Sequence, residues 1–172
     1  MVDIAPKGLD HIAYLTWDTA ATVAFYEDVL GMPLVKAIVE DKVPSVGVTD
    51  CRFVHTFFDM GEGQLLGFIE IEGLPPEQPD RNMPDWPRHI AFRLASMEAL
   101  EQRRRDLVAK GVDVTAIHNH GPTSHSIYLH DPNGIRLEFT YAQYAVSRES
   151  AQRAHEVVRG FRQPASSTAP AR

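Results

Sequence analysis

The chain has 172 residues, of which 44% are hydrophobic, and this is enough material for one compact domain with its own core. Its net charge is −6 at pH 7 and its basic residues are scattered, so neither nucleic acid nor an anionic membrane is an expected partner. No apolar run approaches the roughly 20 residues of a membrane span, and the single cysteine, Cys51, excludes an internal disulfide, so we expect a cytoplasmic protein.

The first part of the chain predicts a strand, a helix and three further strands. The opening strand covers 10–15 and contains His-Ile-Ala followed by an aromatic residue. Asp18 or Thr19 can cap the helix that follows, and Gly31 is placed to end it. Runs with strand character then occur at 34–40, 52–59 and 64–71.

The same order of elements returns in the second part of the chain. His-Ile-Ala-aromatic recurs in a strand at 88–93, Ser96 can cap a helix, and Gly111 can end it. Three consecutive arginines at 103–105 are expected on the solvent face of that helix. Further strands are predicted at 112–117, 124–130 and 135–141.

The repeat therefore predicts an α+β domain over 1–145 that is made of two βαβββ modules. The modules cover 8–72 and 86–141, and a proline-rich crossing at 73–87 joins them. A C-terminal helix is expected over 146–162, capped by Ser147 and packed on the sheet or on a partner subunit. The small polar tail, 163–172, is expected to be disordered.

The repeat also pairs residues that can carry chemistry. His11 and His89 occupy equivalent positions, and pairing of their strands would bring both imidazoles to one place. Alignment of the glycine turns sets Gly67 opposite Glu138, a carboxylate that shares a strand face with Arg136 and Thr140. A carboxylate turned into a cupped sheet is costly unless something pairs with it, and two imidazoles and a metal ion would do so.

Four segments resemble the vicinal oxygen chelate superfamily, which includes glyoxalase I, bleomycin and fosfomycin resistance proteins, methylmalonyl-CoA epimerase and extradiol dioxygenases. They are LDHIAYLTWDTAATVAFYEDVLGMPL, FFDMGEGQLLGFIE, RHIAFRL and SIYLHDPNGIRLEF, within residues 8 to 141. The resemblance implies that the two βαβββ modules form a cupped, incomplete mixed β-barrel around one divalent metal ion. It also implies that His11, His89 and Glu138 hold that ion.

The second module is most similar to the ring-cleaving extradiol dioxygenases. Ser126-Ile127-Tyr128 precedes the turn Pro132-Asn133-Gly134 and then Glu138, as in those enzymes. The resemblance implies that Tyr128 contacts a catechol-like or other vicinal-oxygen substrate and that His118 or His120 handles protons. The crossing lacks the acid–base histidine of that group, and His55 is a candidate replacement. Two histidines and one carboxylate favour Fe(II), with Mn(II), Zn(II) or Ni(II) possible, and leave room for O2.

Two other classes of function are compatible with the resemblance. A glyoxalase-like lyase, isomerase or epimerase would use a fourth metal ligand at the position of Gly67. Glu70 should face the opposite side, although a bulge in the strand could redirect it. A metal-free drug-binding protein would not need the three ligands. We expect a homodimer because an open barrel leaves strand edges, and the ligands can come from one chain or from two.

Overall fold

The structure is a computed structural model that describes residues 5–6, 8–43, 47, 50–76, 86–121, 124–143 and 147–162. The predicted disordered tail lies outside these residues, as does most of the proline-rich crossing. In the described part of the chain, no helix is long and apolar enough to cross a membrane.

The first module forms a four-stranded sheet in the order β1-β4-β3-β2, with β1 parallel to β4 and the other pairs antiparallel. The Asp18 carboxylate accepts a hydrogen bond from the Ala21 N–H at 2.9 Å and so caps its helix. Gly31 follows the helix with a φ of +69°, as a helix-terminating glycine does. The elements are β1 (His11–Leu15), α1 (Thr19–Ala24, continued by a π-helical turn over Phe25–Val29), β2 (Leu34–Glu40), β3 (Phe53–Asp59) and β4 (Leu65–Ile71).

The second module repeats this plan in a sheet of order β5-β8-β7-β6, with β5 parallel to β8. Its helix is capped by Ser96, whose side chain accepts a hydrogen bond from the Ala99 N–H at 3.2 Å. The predicted α+β architecture of two βαβββ modules is thus confirmed. The elements are β5 (His89–Arg93), α2 (Met97–Ala109), β6 (His118–Asn119), β7 (Ser124–His130), β8 (Arg136–Ala142) and a C-terminal helix α3 (Arg148–Arg162).

The strand predicted at 112–117 is wrong, because β6 is only two residues long and begins at His118. The alternation of apolar residues in this run reflects packing, since Val112 and Val114 belong to the core. One backbone hydrogen bond joins this run to β7, from the Thr115 N–H to the Tyr128 carbonyl at 2.9 Å, and side chains supply further bonds. The Arg104 side chain donates to the Thr115 carbonyl at 2.8 Å, and the Thr115 hydroxyl accepts from the Tyr128 N–H at 3.0 Å.

One apolar cluster joins the two modules. In each sheet, alternate residues point to one face, and that face contributes to the common core. The buried members from both modules are Tyr26, Leu30, Met32, Phe58, Leu66, Phe68, Ile90, Leu100, Leu107, Val114, Ile127, Leu129, Leu137 and Phe139. The opposite face of each sheet is therefore left free of the core, and the candidate site residues are on those opposite faces.

Polar contacts also tie the modules together. The Tyr26 hydroxyl donates to the buried carboxylate of Asp131 at 3.1 Å, and burial raises the pKa of both groups. Arg103 donates to the Leu30 carbonyl at 3.2 Å and covers the ring of Phe139. The expectation that all three consecutive arginines face solvent was therefore wrong, because two of them bind backbone carbonyls that helix and loop ends leave open.

The C-terminal helix α3 begins after Ser147, whose hydroxyl accepts from the Ser150 N–H at 3.1 Å as a cap. Residues 151–159 of this helix are all exposed. The helix does not pack on the sheet of its own chain, so one of the two expected placements is wrong. Packing on a partner subunit stays a prediction.

Replacement of Tyr26 by phenylalanine should lower the free energy of unfolding by about 1 to 2 kcal/mol, because it removes one donor from the buried Asp131 carboxylate. The measurement is urea unfolding at a fixed protein concentration. Tyr14→Phe is the control, since Tyr14 is 39% exposed, and it should change the free energy by less than about 0.5 kcal/mol. Equal effects of the two substitutions would contradict this account of the module contact.

Candidate metal centre

The first sheet gathers two histidines on the face that points away from the shared core. The strand registers set Ala13, Gly67 and Phe57 side by side, and Leu15, Ile69 and His55 in the next row. Side chains of adjacent partners in a sheet project to the same side, so His11 on β1 and His55 on β3 share this face. We call it the His11 face.

His11 is held with one ring nitrogen available. Its Nδ1 lies 2.6 Å from the Asp10 carboxylate, which can accept a hydrogen bond from the N–H of that nitrogen. The Nε2 lone pair is then left to bind another group, and a carboxylate behind a histidine is the usual support of a metal-binding imidazole. The His11 ring packs edge-on against Phe57 and His55, with centroids 5.5 and 6.0 Å away.

His55 lies in the space above Gly67. A Cβ atom at position 67 would come within 2.7 Å of the His55 Nε2, so the imidazole fits only because residue 67 is glycine. The ring packs on Phe57 at 3.9 Å between centroids. Its Nε2 is buried and has no hydrogen-bond partner in the described part of the chain. Burial, followed by the charges of His11 and Lys36, lowers the pKa of His55.

The second sheet brings His89 and Glu138 into direct contact. The His89 Nε2 lies 2.9 Å from one oxygen of Glu138, and the Ser126 hydroxyl donates to the other oxygen at 2.5 Å. Glu138 is only 8% exposed, so these partners offset the cost of burying its charge. The His89 Nδ1 lies 3.1 Å from the Trp86 carbonyl and donates to it, which fixes the ring as Asp10 fixes His11.

Tyr128 lies next to the His89–Glu138 pair, and His118 and His120 lie beside the Tyr128 ring. The register pairs Tyr128 with Glu138, and its hydroxyl lies 2.9 Å from the His120 Nε2. The His118 ring lies 5.7 Å from the Tyr128 ring, and the Arg136 guanidinium covers the latter at 4.3 Å. Burial and the nearby carboxylate of Glu138 raise the pKa of Tyr128. The predicted residues of the second module are thus together on one face, which we call the Glu138 face.

The structure does not bring His11 to His89 and Glu138. In the described residues, no three His, Cys, Asp or Glu side chains lie close enough together to hold a metal ion. The reason is the shared core, which takes the inner face of both sheets and turns the His11 face and the Glu138 face away from it. Each chain therefore carries two separate groups of candidate ligands, which we call half-sites, and sequence equivalence alone did not reveal this separation.

Glu70 belongs to neither half-site. Its carboxylate accepts a hydrogen bond from the Thr19 N–H at 2.7 Å at the start of α1. The register of β4 with β3 is regular through this position, so no bulge turns the side chain around. Glu70 supports the helix N-terminus, where a negative charge is favourable.

The half-sites fit a divalent metal ion in their chemistry. Imidazole and carboxylate are the donors that such ions take in proteins. Imidazole nitrogens and carboxylate oxygens bind such an ion at about 2.0 to 2.2 Å, and the His89 Nε2 and the Glu138 oxygen, which pair at 2.9 Å, are near enough to each other for one ion to bind both. Both His11 and His89 direct Nδ1 to an acceptor, and the Nε2 of His89 faces the Glu138 carboxylate.

Comparison with known proteins identifies the family. The model of the glyoxalase/bleomycin resistance protein/dioxygenase superfamily matches residues 8–139. The chain belongs to this superfamily. The match spans both modules of the domain and includes every residue of the two half-sites, so the superfamily fold is what positions them.

Solved structures of superfamily proteins share this fold. A glyoxylase/bleomycin resistance protein/dioxygenase domain from Frankia sp. EAN1pec is 18% identical, with a TM-score of 0.60 over 81% of this chain and 100% of its own. A lactoylglutathione lyase from Agrobacterium tumefaciens is 22% identical, with a TM-score of 0.54 over 79% and 94%. No curated protein matches in sequence.

The fosfomycin resistance protein FosX from Listeria monocytogenes is also similar in structure. It is 18% identical, with a TM-score of 0.55 over 81% of this chain and 96% of its own. A FosX variant, 20% identical with a TM-score of 0.52 over 86% and 99%, is described in complex with Mn(II) and a dihydroxypropylphosphonic acid. At these identities the similarity is one of fold.

Two supporting residues were missed by the sequence analysis. Asp10 directly precedes His11, and an acidic residue beside a candidate histidine ligand was a signal that could have found it. Trp86 contributes only its backbone carbonyl, so no side-chain pattern could have indicated its role.

Proposed function

We propose that the chain is a divalent-metal-dependent enzyme for a small molecule that binds the metal through two neighbouring oxygens. The metal ligands are His89 and Glu138 of one chain and His11 of a second copy. The observation that carries this proposal is the His89–Glu138 pair, in which the His89 Nε2 lies 2.9 Å from an oxygen of the buried Glu138 carboxylate. The superfamily membership supports it.

The contribution of a second copy follows from the separation of the half-sites. β1 and β5 are the outer strands of their sheets, and in the described chain they do not pair with one another. Tyr14 and Leu15 on β1 are each 39% exposed, which leaves an apolar edge for a partner to cover. In a twofold homodimer, each His11 face meets the Glu138 face of the other chain, and two equivalent sites result.

A bound divalent ion would polarise substrate oxygens and make them more acidic. Two histidines and one carboxylate leave three positions on a six-coordinate ion, which suits Fe(II) and also Mn(II), Zn(II) or Ni(II). The FosX complex with Mn(II) supports a metal of this class in the fold. We favour Fe(II).

The reaction that we propose is ring cleavage of a catechol-like substrate by O2. The contact between Tyr128 and His120 supports it, because it places a hydroxyl donor next to Glu138 with a histidine behind it. Tyr128 donates a hydrogen bond to the bound substrate. His120 orients the Tyr128 hydroxyl and exchanges a proton with it, and the His118 ring lies beside that of Tyr128.

A lyase or isomerase reaction is the second candidate, and one observation favours it. Such a reaction moves a proton on a metal-bound substrate and needs another group beside the metal. Gly67 offers no side chain, but the His55 imidazole occupies the space above it. His55, rather than Glu70, is therefore the side chain on the His11 face that such a reaction would use.

The metal proposal predicts that Glu138→Ala removes bound metal. Protein purified without oxygen should contain about one divalent ion per chain, because a twofold dimer has as many sites as chains. Elemental analysis of the variant should find almost none. Glu101→Ala, which alters an exposed carboxylate on α2, is the control and should keep the full content. Equal metal content in both variants would show that Glu138 is not a ligand.

The ring-cleavage proposal predicts O2 consumption by the Fe(II)-loaded protein with at least one member of a panel of catechols and hydroquinones. Tyr128→Phe should then lower kcat by about 100-fold or more, as expected for loss of a positioned acid–base group, with little change in KM. Tyr141→Phe, on the opposite face of the same sheet, should leave kcat unchanged. Absence of O2 uptake with the whole panel would exclude this reaction and leave the second candidate.

A further inference from the structure

The two modules place different residues at three equivalent positions. The registers align Gly67 with Glu138, because each pairs with the alanine two residues after the module's histidine, Ala13 or Ala91. The same registers align Phe57 with Tyr128. They also align His55, which pairs with Ile69, with Ser126, which pairs with Thr140.

In this alignment, the long and the short side chain are on opposite strands in the two modules. In the second module, a short serine on the inner strand reaches a long carboxylate on its neighbour, Glu138. In the first module, the inner strand β3 carries the long side chain of His55, and the neighbouring strand β4 has Gly67, which has no side chain. The His55 Nε2 lies 2.7 Å from the point where a residue 67 side chain would begin, so the imidazole lies where the first module would have a counterpart of Glu138.

The His55 Nε2 lacks a polar partner. The atom is buried and has no hydrogen-bond partner in the described residues, although a polar atom in such a place normally has one. The ring shares the His11 face, and the two imidazole centroids are 6.0 Å apart. Phe57 supports both rings from the same side, with centroids 3.9 Å from His55 and 5.5 Å from His11.

We infer that His55 is a fourth protein ligand of the metal, supplied together with His11 by the first module. This inference rests on the proposed metal site. Each site then consists of His11 and His55 from one chain and His89 and Glu138 from the other. Three imidazoles and one carboxylate leave two positions on a six-coordinate ion, which is the number that a substrate with two vicinal oxygens fills.

The test measures metal binding rather than activity. Wild type, His55→Ala and His55→Gln are stripped of metal and titrated with Co(II) against a chromogenic chelator, and the visible absorption of the bound Co(II) is recorded. Loss of a direct ligand should weaken Co(II) binding by more than the roughly 10- to 100-fold that loss of a supporting residue causes. The position and intensity of the Co(II) bands should also change, because they report the set of donor atoms.

The controls separate this inference from the metal site itself. His125→Ala removes a histidine from the opposite face of β7 and should keep wild-type affinity and bands. Glu138→Ala should abolish binding. If Glu138→Ala loses Co(II) while both His55 variants keep the wild-type affinity and absorption, the metal site stands and His55 is not a ligand. If Glu138→Ala binds Co(II) like wild type, the metal site fails first.

A third variant tests the role of the glycine. Gly67→Ala keeps the His55 imidazole but places a Cβ atom 2.7 Å from its Nε2, so the ring must move. It should weaken Co(II) binding in the same direction as His55→Ala. For the His55 test itself, His55→Gln keeps a side chain of similar volume, so its Co(II) binding decides the result if His55→Ala does not fold. Unchanged Co(II) binding in the folded Gly67→Ala protein would count against the inference.

Discussion

The packing of both sheets against one common core determines where chemistry can occur in this protein. Phe58 and Phe68 from the first sheet and Leu137 and Phe139 from the second belong to the same apolar cluster. A sheet has only two faces, so use of one face for the core turns the other outward. The His11 face and the Glu138 face are these outward faces. A metal site built from both faces would therefore need a second copy of the chain, which the proposed dimer supplies.

The two modules share a plan, but they carry different donors. Glu138 is buried with Ser126 and His89 as partners, whereas its counterpart Gly67 makes room for His55. Each half-site thus offers two candidate metal ligands from strands of one sheet. One histidine in each is held by a hydrogen bond to its Nδ1, His11 by Asp10 and His89 by the Trp86 carbonyl. Rigid support of this kind sets ligand orientation and reduces the reorganisation needed when a metal binds.

The sequence predicted the parts of the fold that depend on local signals. The bounds of β2 and β7 match their predictions because proline, glycine and polar residues limit these runs on both sides. The strand prediction at 112–117 was wrong because the apolar alternation there comes from packing of Val114 in the core. The Thr115 carbonyl accepts a hydrogen bond from the Arg104 side chain. The position of Glu138 on the same strand face as Arg136 and Thr140 was predictable from strand parity, whereas Tyr128 and His120 were expected near it because of the family resemblance. The separation of His11 from them was not predictable, because a repeat shows which positions are equivalent but not which faces of the modules meet.

Complementation between two inactive variants tests the two-chain metal site most directly. His11→Ala and Glu138→Ala proteins are stripped of metal, mixed in equal amounts, allowed to exchange subunits, and assayed for tightly bound metal. In a mixed dimer one site carries both substitutions and the other carries neither. Random exchange should therefore restore about one quarter of the wild-type metal content, although each variant alone binds almost none. A mixture that binds no more metal than the separate variants, after subunit exchange has been verified, would contradict a site shared between chains.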